Sequence, residues 1–238
     1  MINGRTSRGV IIPAAGRGTR FGGAIPKQFL ELSGVPLLVR SIRTALMLHD
    51  LLAVVVAIHS EDEAYVAEMF SRLGLSDPRL HIVIGSSERQ HSVAAALAHP
   101  ALATAGVILV HDAVRPLTSN GLWERMAQGA QERPAVVPVV PIADTVKQVD
   151  ATGQVCGTVD RSALFRVQTP QAFDAVVLRA AYASAQSSPL VATDCASLVE
   201  RIGYPVFTVP GEETNFKVTT SYDLDVAEFI LQRTASAL

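Results

Sequence analysis

The sequence predicts an α/β fold built on a doubly wound, mostly parallel β-sheet. Short β-branched runs alternate with helical patterns along the chain, as they do when strands are joined by crossover helices. Several of these runs are apolar almost throughout, which is typical of strands covered by helices on both faces. The chain has 238 residues, of which 49% are hydrophobic and 18% are charged. It can therefore bury one sizeable core, and we expect a single domain over residues 1–238.

The individual elements follow from two patterns, short β-branched runs for strands and apolar residues at helical spacing for helices. Six strands are expected, at residues 10–12, 54–58, 81–84, 107–110, 136–140 and 206–209. Helices are expected where apolar residues fall on one stripe, at Leu38, Ile42, Ala45 and Leu46, at Val66, Met69, Phe70 and Leu73, and at Leu224, Ala227, Phe229 and Leu231. The segment from Thr220 to Asp223 resembles a capping box, which places the start of the last helix there.

One segment interrupts the alternation of strand and helix. Residues 144–161 form two extended runs of about seven residues each around a turn that contains Gly153. The runs carry few apolar residues, and a hairpin that cannot bury itself is marginal in isolation. We therefore interpret residues 141–162 as a protruding β-hairpin arm that crosses a subunit interface and forms a homodimer. A hairpin folded back onto its own domain is the alternative.

The loop after the first strand, residues 13–27, predicts a phosphate site. Its small residues let backbone N–H groups close around an anion, and three basic side chains add positive charge, those of Arg17, Arg20 and Lys27. A Walker A loop is excluded because Gln28 stands where that motif has Ser or Thr. A dinucleotide fingerprint is disfavoured because Phe21 occupies its third small position and no acid ends a second strand about 20 residues later. A glycine-rich turn with incidental arginines is the alternative.

The composition restricts the kinds of partner. A net charge of -2 and the lack of a basic stripe with interleaved aromatics argue against nucleic acid, so we expect a small phosphate ligand held by local cations. Cys156 and Cys195 lack metal-ligand spacing and are interpreted as free thiols in a reducing compartment. No apolar run reaches about 18 residues, so we expect no membrane span. Residues 1–8 are too short and polar for a targeting sequence, which predicts a cytoplasmic protein.

Isolated charged residues follow later elements. Asp112 comes directly after the fourth predicted strand, where it can face a metal-bound phosphate or a hydroxyl. A helix cap or a salt bridge to Arg115 is the alternative. The neighbouring His111 is interpreted as a structural histidine. Arg161 closes the hairpin and Lys217 precedes the last helix, and each taken alone is typical of a solvated charge.

Six motifs that contain these residues together resemble one known family. In chain order they are PAAGRGTRFGGAIPKQF, VHDAVRP, the hairpin start DTVK, RSALFRVQTPQAF, ATDCASLVERIG and NFKVTTSYDLDVAEFIL. Together they cover nearly the whole chain and resemble the 2-C-methyl-D-erythritol 4-phosphate cytidylyltransferase family of the non-mevalonate isoprenoid pathway. The resemblance implies an enzyme that uses Mg²⁺ to join CTP and the methylerythritol phosphate, with release of pyrophosphate. It also implies a Rossmann-like sheet and a homodimer formed by a swapped β-arm.

The resemblance further implies roles for particular residues. Arg20 and Lys27 would stabilise the transition state, and Arg161 and Lys217 would position the acceptor phosphate. The acceptor would be contacted by Arg115, Thr145, Thr169 and Thr193. The nucleotide would be held by Ala14, Ala15, Gly16, Arg17, Gly18, Thr19, Gly85, Ser86, Ser92, Asp112 and Ala113. Asp112 is also the candidate metal ligand, and Arg161 and Thr145 would enter the partner's active site because they flank the hairpin.

The base-recognising stretch departs from the family at one position. Ser86 stands where the second glycine of a pair is usual, so its backbone N–H can meet cytosine only with a φ that serine tolerates. Ser92 matches the hydroxyl that contacts the base in the family. A serine near a helix N-terminus is the alternative for Ser92.

The expected chemistry needs cations and no general base. The attacking phosphate monoester is already mostly dianionic near neutral pH, which agrees with a sequence that offers no nucleophile–His–acid triad. The remaining difficulty is to bring two anions together. Two alternatives stay open, a cytidylyltransferase for another polyol phosphate such as ribitol 5-phosphate, and a non-catalytic CTP-binding module.

Overall fold

The computed structural model describes residues 6–17, 25–186 and 192–235. The strands are Arg8–Pro13 (β1), Glu31–Leu32 (β2), Val35–Pro36 (β3), Leu51–Ile58 (β4), Leu80–Ile84 (β5), Val107–Val110 (β6), Ala135–Pro141 (β7), Val146–Val149 (β8), Val155–Val159 (β9), Phe165–Val167 (β10), Gln171–Asp174 (β11) and Phe207–Pro210 (β12). The α-helices are Leu37–Leu46 (α1), Glu63–Arg72 (α2), Arg89–Leu97 (α3), Asn120–Glu132 (α4), Ala175–Ala185 (α5), Cys195–Arg201 (α6) and Ser221–Ala235 (α7).

The main sheet is mixed but mostly parallel, which confirms the predicted fold class. Its order is β5-β4-β1-β6-β11-β7-β10, and β12 also pairs with β7. The pairs of β1 with β4 and β6, of β4 with β5, and of β12 with β7 are parallel. Strands β10 and β11, which the sequence patterns did not predict, run antiparallel to their neighbours.

Helices cover both faces of this sheet. Val10 and Ile12 of β1 belong to an apolar cluster on one face, together with residues of α1, α2 and α4. Ile11, between them, belongs to the cluster on the other face, with residues of α3, α5 and α6. All three side chains are fully buried. Successive strand residues thus point to opposite layers, which is why the strand is apolar throughout.

The strand order reverses at β1. The chain runs outward from β1 to β4 and β5, and then returns to form β6 on the other side of β1. In doubly wound sheets the carboxyl ends of the strands open into a crevice at such a reversal. The loops after β1 and β6 therefore meet there.

A third apolar cluster anchors the last helix. Leu32, Leu37, Val114, Val218 and Ala227 are buried together beneath α7. The predicted capping box is confirmed at its start. Thr220 Oγ1 accepts from the Asp223 backbone N–H at 3.2 Å, and the Asp223 carboxylate accepts from the Thr220 N–H at 2.8 Å. This packing holds the segment before α7 against the loop that follows β6.

The predicted hairpin is present, with shorter strands than expected. β8 and β9 have four and five residues, and their register shifts between Gln148 and Val149. Gly153 has φ +90° in the turn, where the Asp150 carboxylate accepts from two backbone N–H groups. Among the described strands, β8 and β9 pair only with each other, and Val149 is 51% exposed. The hairpin therefore adds little to the core.

The structure also bears on the two cysteines and on membrane-spanning helices. Cys156 and Cys195 are free thiols, as predicted, and the structure shows the first exposed and the second buried. In the part of the chain that the structure describes, none of the helices combines the length and apolar character needed to cross a membrane.

Candidate active site

A cleft opens at the carboxyl end of β1. It collects four stretches that are distant in sequence, namely the loop after β1, the turn before α3, the loop after β6 and the segment before α7. The described lining residues are Pro13, Ala14, Ala15, Gly16, Lys27, Gln28, Ser87, Arg89, Ser92, Asp112, Ala113, Val114 and Lys217. The structure thus brings two predicted cations, Lys27 and Lys217, to one cleft with Asp112.

A buried amide shapes the loop after β1. The Gln28 side chain, 3% exposed, donates from Nε2 to the carbonyl oxygens of Ala14 at 2.8 Å and of Gly16 at 3.1 Å. The Ala14 N–H donates to the Ala57 carbonyl at 2.7 Å. Two carbonyl oxygens that would repel an anion are therefore occupied by the Gln28 amide.

The turn before α3 packs tightly against this loop. A Cβ atom on Gly85 would lie 2.8 Å from Ser92 Oγ and 2.9 Å from the Ala15 side chain, so only glycine fits. The buried Ser92 hydroxyl accepts from the Ser86 N–H at 3.0 Å and lies 2.8 Å from the Ser86 carbonyl. These hydrogen bonds to the Ser86 backbone hold the turn in place against α3.

Ser86 occupies its position without backbone strain. Among the described non-glycine residues, positive φ is confined to Ser33 and Asp50. The family that this sequence resembles usually has glycine at this position. The backbone here does not require one, since the φ of Ser86 is not positive.

Asp112 is the electrostatic centre of the cleft. Its Oδ2 lies 3.0 Å from Lys217 Nζ and 3.7 Å from Arg115 Nε, and its Oδ1 lies 3.3 Å from Arg89 Nε. Burial by itself would raise the pKa of Asp112, but the attraction of Arg89, Lys217 and Arg115 outweighs burial and holds that pKa well below its usual range. The salt bridge to Arg115, which was the structural alternative for Asp112, is the longest of these three contacts.

A neutral histidine supports the Asp112 loop. Thr169 Oγ1 accepts from the Asp112 N–H at 3.0 Å and lies 3.0 Å from His111 Nδ1. His111 is fully buried against Trp123, and this burial lowers its pKa to about 3. His111 is therefore structural, as predicted. Thr169, expected beside the acceptor phosphate, is itself 5% exposed, and its hydroxyl is used to hold this loop.

Asn215 brings Lys217 to Asp112. Its buried side chain donates from Nδ2 to the Thr169 carbonyl at 2.8 Å, and its Oδ1 accepts from the Thr118 hydroxyl at 2.7 Å. Its own carbonyl accepts from Arg115 Nη1 at 2.7 Å. The backbone of this segment is thereby fixed beside the loop after β6, two residues before Lys217.

Several predicted site residues lie elsewhere. Arg17 pairs with Asp62 at 3.0 Å and with Glu61, so acids already match its charge. Arg115 is buried behind Asp112 and is not among the lining residues. The exposed residues Thr145, Arg161 and Thr193 also lie outside the described lining. Gly18, Thr19 and Arg20 fall outside the residues that the structure describes.

Sequence reasoning missed two residues of the cleft. Gln28 was used only to exclude a Walker A loop, although an amide inside a small-residue loop is a candidate for holding its carbonyl groups. Arg89 follows the Gly85 turn and opens α3. It could have been found by asking which charged residue follows each strand at the ligand-binding edge.

The cleft offers one carboxylate for a metal ion. Asp112 is the single acid among the described lining residues. Outside the gaps at residues 1–5, 18–24, 187–191 and 236–238, no group of three His, Cys, Asp or Glu residues is arranged to hold an ion. Mg²⁺ is commonly bound by one or two carboxylates together with substrate phosphates. The residues therefore fit an ion that arrives with a phosphorylated substrate.

Comparisons with known proteins agree on one family. A family model described as IspD, 2-C-methyl-D-erythritol 4-phosphate cytidylyltransferase, matches residues 9–233. The protein of that name from Saccharopolyspora erythraea is 46% identical over 228 residues, covering 93% of this chain and 97% of the relative. The one from Symbiobacterium thermophilum is 43% identical over 229 residues, covering 95% of this chain and 93% of the relative.

Solved structures show the same fold. The crystal structure of 4-diphosphocytidyl-2C-methyl-D-erythritol synthase from Anaerococcus prevotii is similar with a TM-score of 0.81 and 29% identity, covering 95% of this chain and 98% of that one. The 2-C-methyl-D-erythritol 4-phosphate cytidylyltransferase from Thermus thermophilus has a TM-score of 0.76 and 36% identity, covering 95% of this chain and all 100% of that one.

Proposed function

Because the chain belongs to the 2-C-methyl-D-erythritol 4-phosphate cytidylyltransferase family, we propose that its cleft transfers CMP from CTP to 2-C-methyl-D-erythritol 4-phosphate. The chain is a nucleotidyltransferase of isoprenoid biosynthesis. The observation that carries the mechanism is the convergence of Lys27 and Lys217 on one cleft around the ionised Asp112. Cations from distant parts of the chain are what a reaction between two phosphates requires.

The reaction is a displacement at phosphorus. An oxygen of the acceptor phosphate forms a bond to the α-phosphorus of CTP, and the bond from that phosphorus to the bridging oxygen breaks. The electron pair leaves with pyrophosphate, so no proton has to be abstracted from the nucleophile. Each pair of unit negative charges 4 Å apart repels by about 4 kcal/mol at an effective dielectric constant of about 20. Cations in the cleft offset this repulsion.

The two lysines take different parts in this scheme. Lys27, beside the loop after β1, binds the triphosphate together with Arg20 and stabilises charge on the leaving pyrophosphate. Lys217 binds the acceptor phosphate. Its side chain is 39% exposed, so it can exchange Asp112 for a substrate oxygen. The turn of Gly85, Ser86 and Ser92 receives the base.

The Asp112 carboxylate has a further task. Mg²⁺ bound with the nucleotide would neutralise phosphate charge. Asp112 would hold the ion, since it is the acid on the described lining and its depressed pKa keeps it ionised.

A homodimer would complete the site. Thr145 and Arg161 lie at the two ends of the hairpin and are exposed, and β8 and β9 pair only with each other among the described strands. Val155 on the hairpin is 54% exposed and Phe165 beside it is 48% exposed, which leaves apolar surface for a second copy. In this arrangement Arg161 of one copy binds the acceptor phosphate in the other.

Pyrophosphate release tests the proposal. The protein with CTP, Mg²⁺ and 2-C-methyl-D-erythritol 4-phosphate should release pyrophosphate, and Lys27→Ala should lower kcat by about 10²-fold or more because a fixed charge donor is lost. Arg72→Ala is the matched control, since Arg72 is an exposed cation paired with Glu31 on the surface. A silent wild-type protein, or full turnover in a folded Lys27→Ala protein, would contradict the assignment. Faster turnover with ribitol 5-phosphate would correct the acceptor.

A further inference from the structure

Arg89 links the cleft to a buried contact behind it. Its side chain is 28% exposed, and its Nε lies 3.3 Å from Asp112 Oδ1. On the other side, its Nη1 donates to Cys195 Sγ at 3.3 Å. The guanidinium is therefore held between the cleft carboxylate and the first residue of α6.

The Cys195 contact is fully enclosed. Cys195 has no exposed surface, and its Sγ lies 3.2 Å from the hydroxyl of Tyr182, which is 5% exposed. Burial, together with the neighbouring Cys195, raises the pKa of Tyr182 well above its usual value, so the phenol keeps its proton and can donate to the sulfur. Cys195 and Tyr182 thus form a fixed polar anchor in an otherwise apolar layer.

Asp112 divides its oxygens between two cations. Oδ1 faces Arg89 and Oδ2 faces Lys217. Arg115 is a weaker third partner, because its Nη1 is held by the Asn215 carbonyl and its Nε, 3.7 Å from Oδ2, makes no hydrogen bond. When Lys217 turns to a substrate phosphate, Arg89 is the close side-chain partner that remains for the buried carboxylate, whether or not Asp112 also holds Mg²⁺. A buried charge left without a partner is costly.

We propose that Cys195 is a positioning residue that fixes Arg89 against Asp112, and that Arg89 thereby sets how readily Lys217 leaves Asp112 for the acceptor phosphate. This inference rests on the proposed role of Lys217 in acceptor binding. Loss of Arg89 leaves Lys217 as the close partner of Asp112, so the lysine is retained there and the acceptor binds more weakly. CTP binding is affected less, because its triphosphate is bound by the loop after β1 and its base by the turn of Gly85, Ser86 and Ser92.

Substitutions at Cys195 separate positioning from packing. Cys195→Ala removes the hydrogen-bond acceptor, whereas Cys195→Ser, whose side chain is close to alanine in size, keeps an acceptor. A purely structural role predicts that alanine is tolerated at least as well as serine in this apolar layer. Positioning predicts the reverse, with the KM for the acceptor raised about fivefold in Cys195→Ala and within about twofold of wild type in Cys195→Ser.

The experiment measures KM for both substrates in the full-length protein by pyrophosphate release. Arg89→Met should raise the acceptor KM about tenfold and change the CTP KM less than about twofold. Val199→Ala, in the same helix as Cys195 and at a side chain with no hydrogen-bonding group, should lower Tm and leave both KM values unchanged. Equal changes in both KM values, or serine and alanine variants that match wild type, would overturn the inference. An inactive wild-type protein would instead contradict the proposed function.

Discussion

His111 and Asp112 are neighbours with opposite responses to burial. Asp112 faces three cations and stays ionised, whereas His111 has neutral partners, Thr169 and Thr118, and stays uncharged. The difference lies in what each side chain contacts, since both residues are buried. One buried position therefore supplies charge to the cleft, and the adjacent one holds the loop.

The buried histidine predicts how stability depends on pH. The pKa of His111 is lowered to about 3 by burial, against about 6.5 in an unfolded chain. Between these values the unfolded state binds one more proton, so stability falls as pH falls through 6.5 and the loss ends near pH 3. Its part of the free energy of unfolding should be lower by about 2 kcal/mol at pH 5 than at pH 7.

Urea denaturation at the two pH values measures this effect. His111→Gln has no group that titrates in this range, and it should lack that part of the pH dependence. If the variant does not fold, the ring signals of His111 in NMR spectra of the native protein provide a second measurement. A His111 ring that titrates near pH 6 would contradict the assignment.

At the scale of elements, the hairpin and the last helix behave differently. α7 begins at a reciprocal cap and covers an apolar cluster, so its own contacts stabilise it. The hairpin β8–β9 has turn hydrogen bonds and one strand partner each, with exposed apolar residues. The first element contributes to the fold and the second offers a surface.

We therefore expect that a protein without the hairpin still folds but no longer forms a dimer. Replacing residues 146–159 with a short Gly-Ser linker should leave a folded protein, because β8 and β9 pair with no other described strand. Light scattering should show a monomer in place of a dimer, and circular dichroism should show that the helices remain. A dimer that persists after this replacement would place the interface elsewhere.

At the scale of the whole molecule, we expect the proposed active site to be shared between two copies. Lys27 and Lys217 line one cleft, while Arg161 donates to the Ile142 carbonyl at 3.2 Å at the base of the exposed hairpin. Residues assigned to one reaction are therefore divided between a cleft and an arm. A second copy of the chain, as proposed, would bring the two locations together.

Mixed dimers test the shared site. Lys27→Ala and Arg161→Ala proteins should each be nearly inactive, yet unfolding and refolding them together should restore activity. If Arg161 acts in the partner, half of the dimers are mixed and each contains one intact site, so about a quarter of wild-type activity should return. If Arg161 acts in its own subunit, every site keeps a defect and no activity returns. Mixing either variant with itself is the control.

The sequence by itself determined the alternating elements and the family, and it predicted an anion site in the loop after β1. These are local or cumulative properties, because periodicity, small residues and motifs are readable along the chain. The tertiary structure decided which charges meet. Sequence spacing does not show that Asp112 lies between Arg89 and Lys217, or that Arg17 is already paired with acids. Electrostatic interaction depends on distance and burial, and both exist only once the chain has folded.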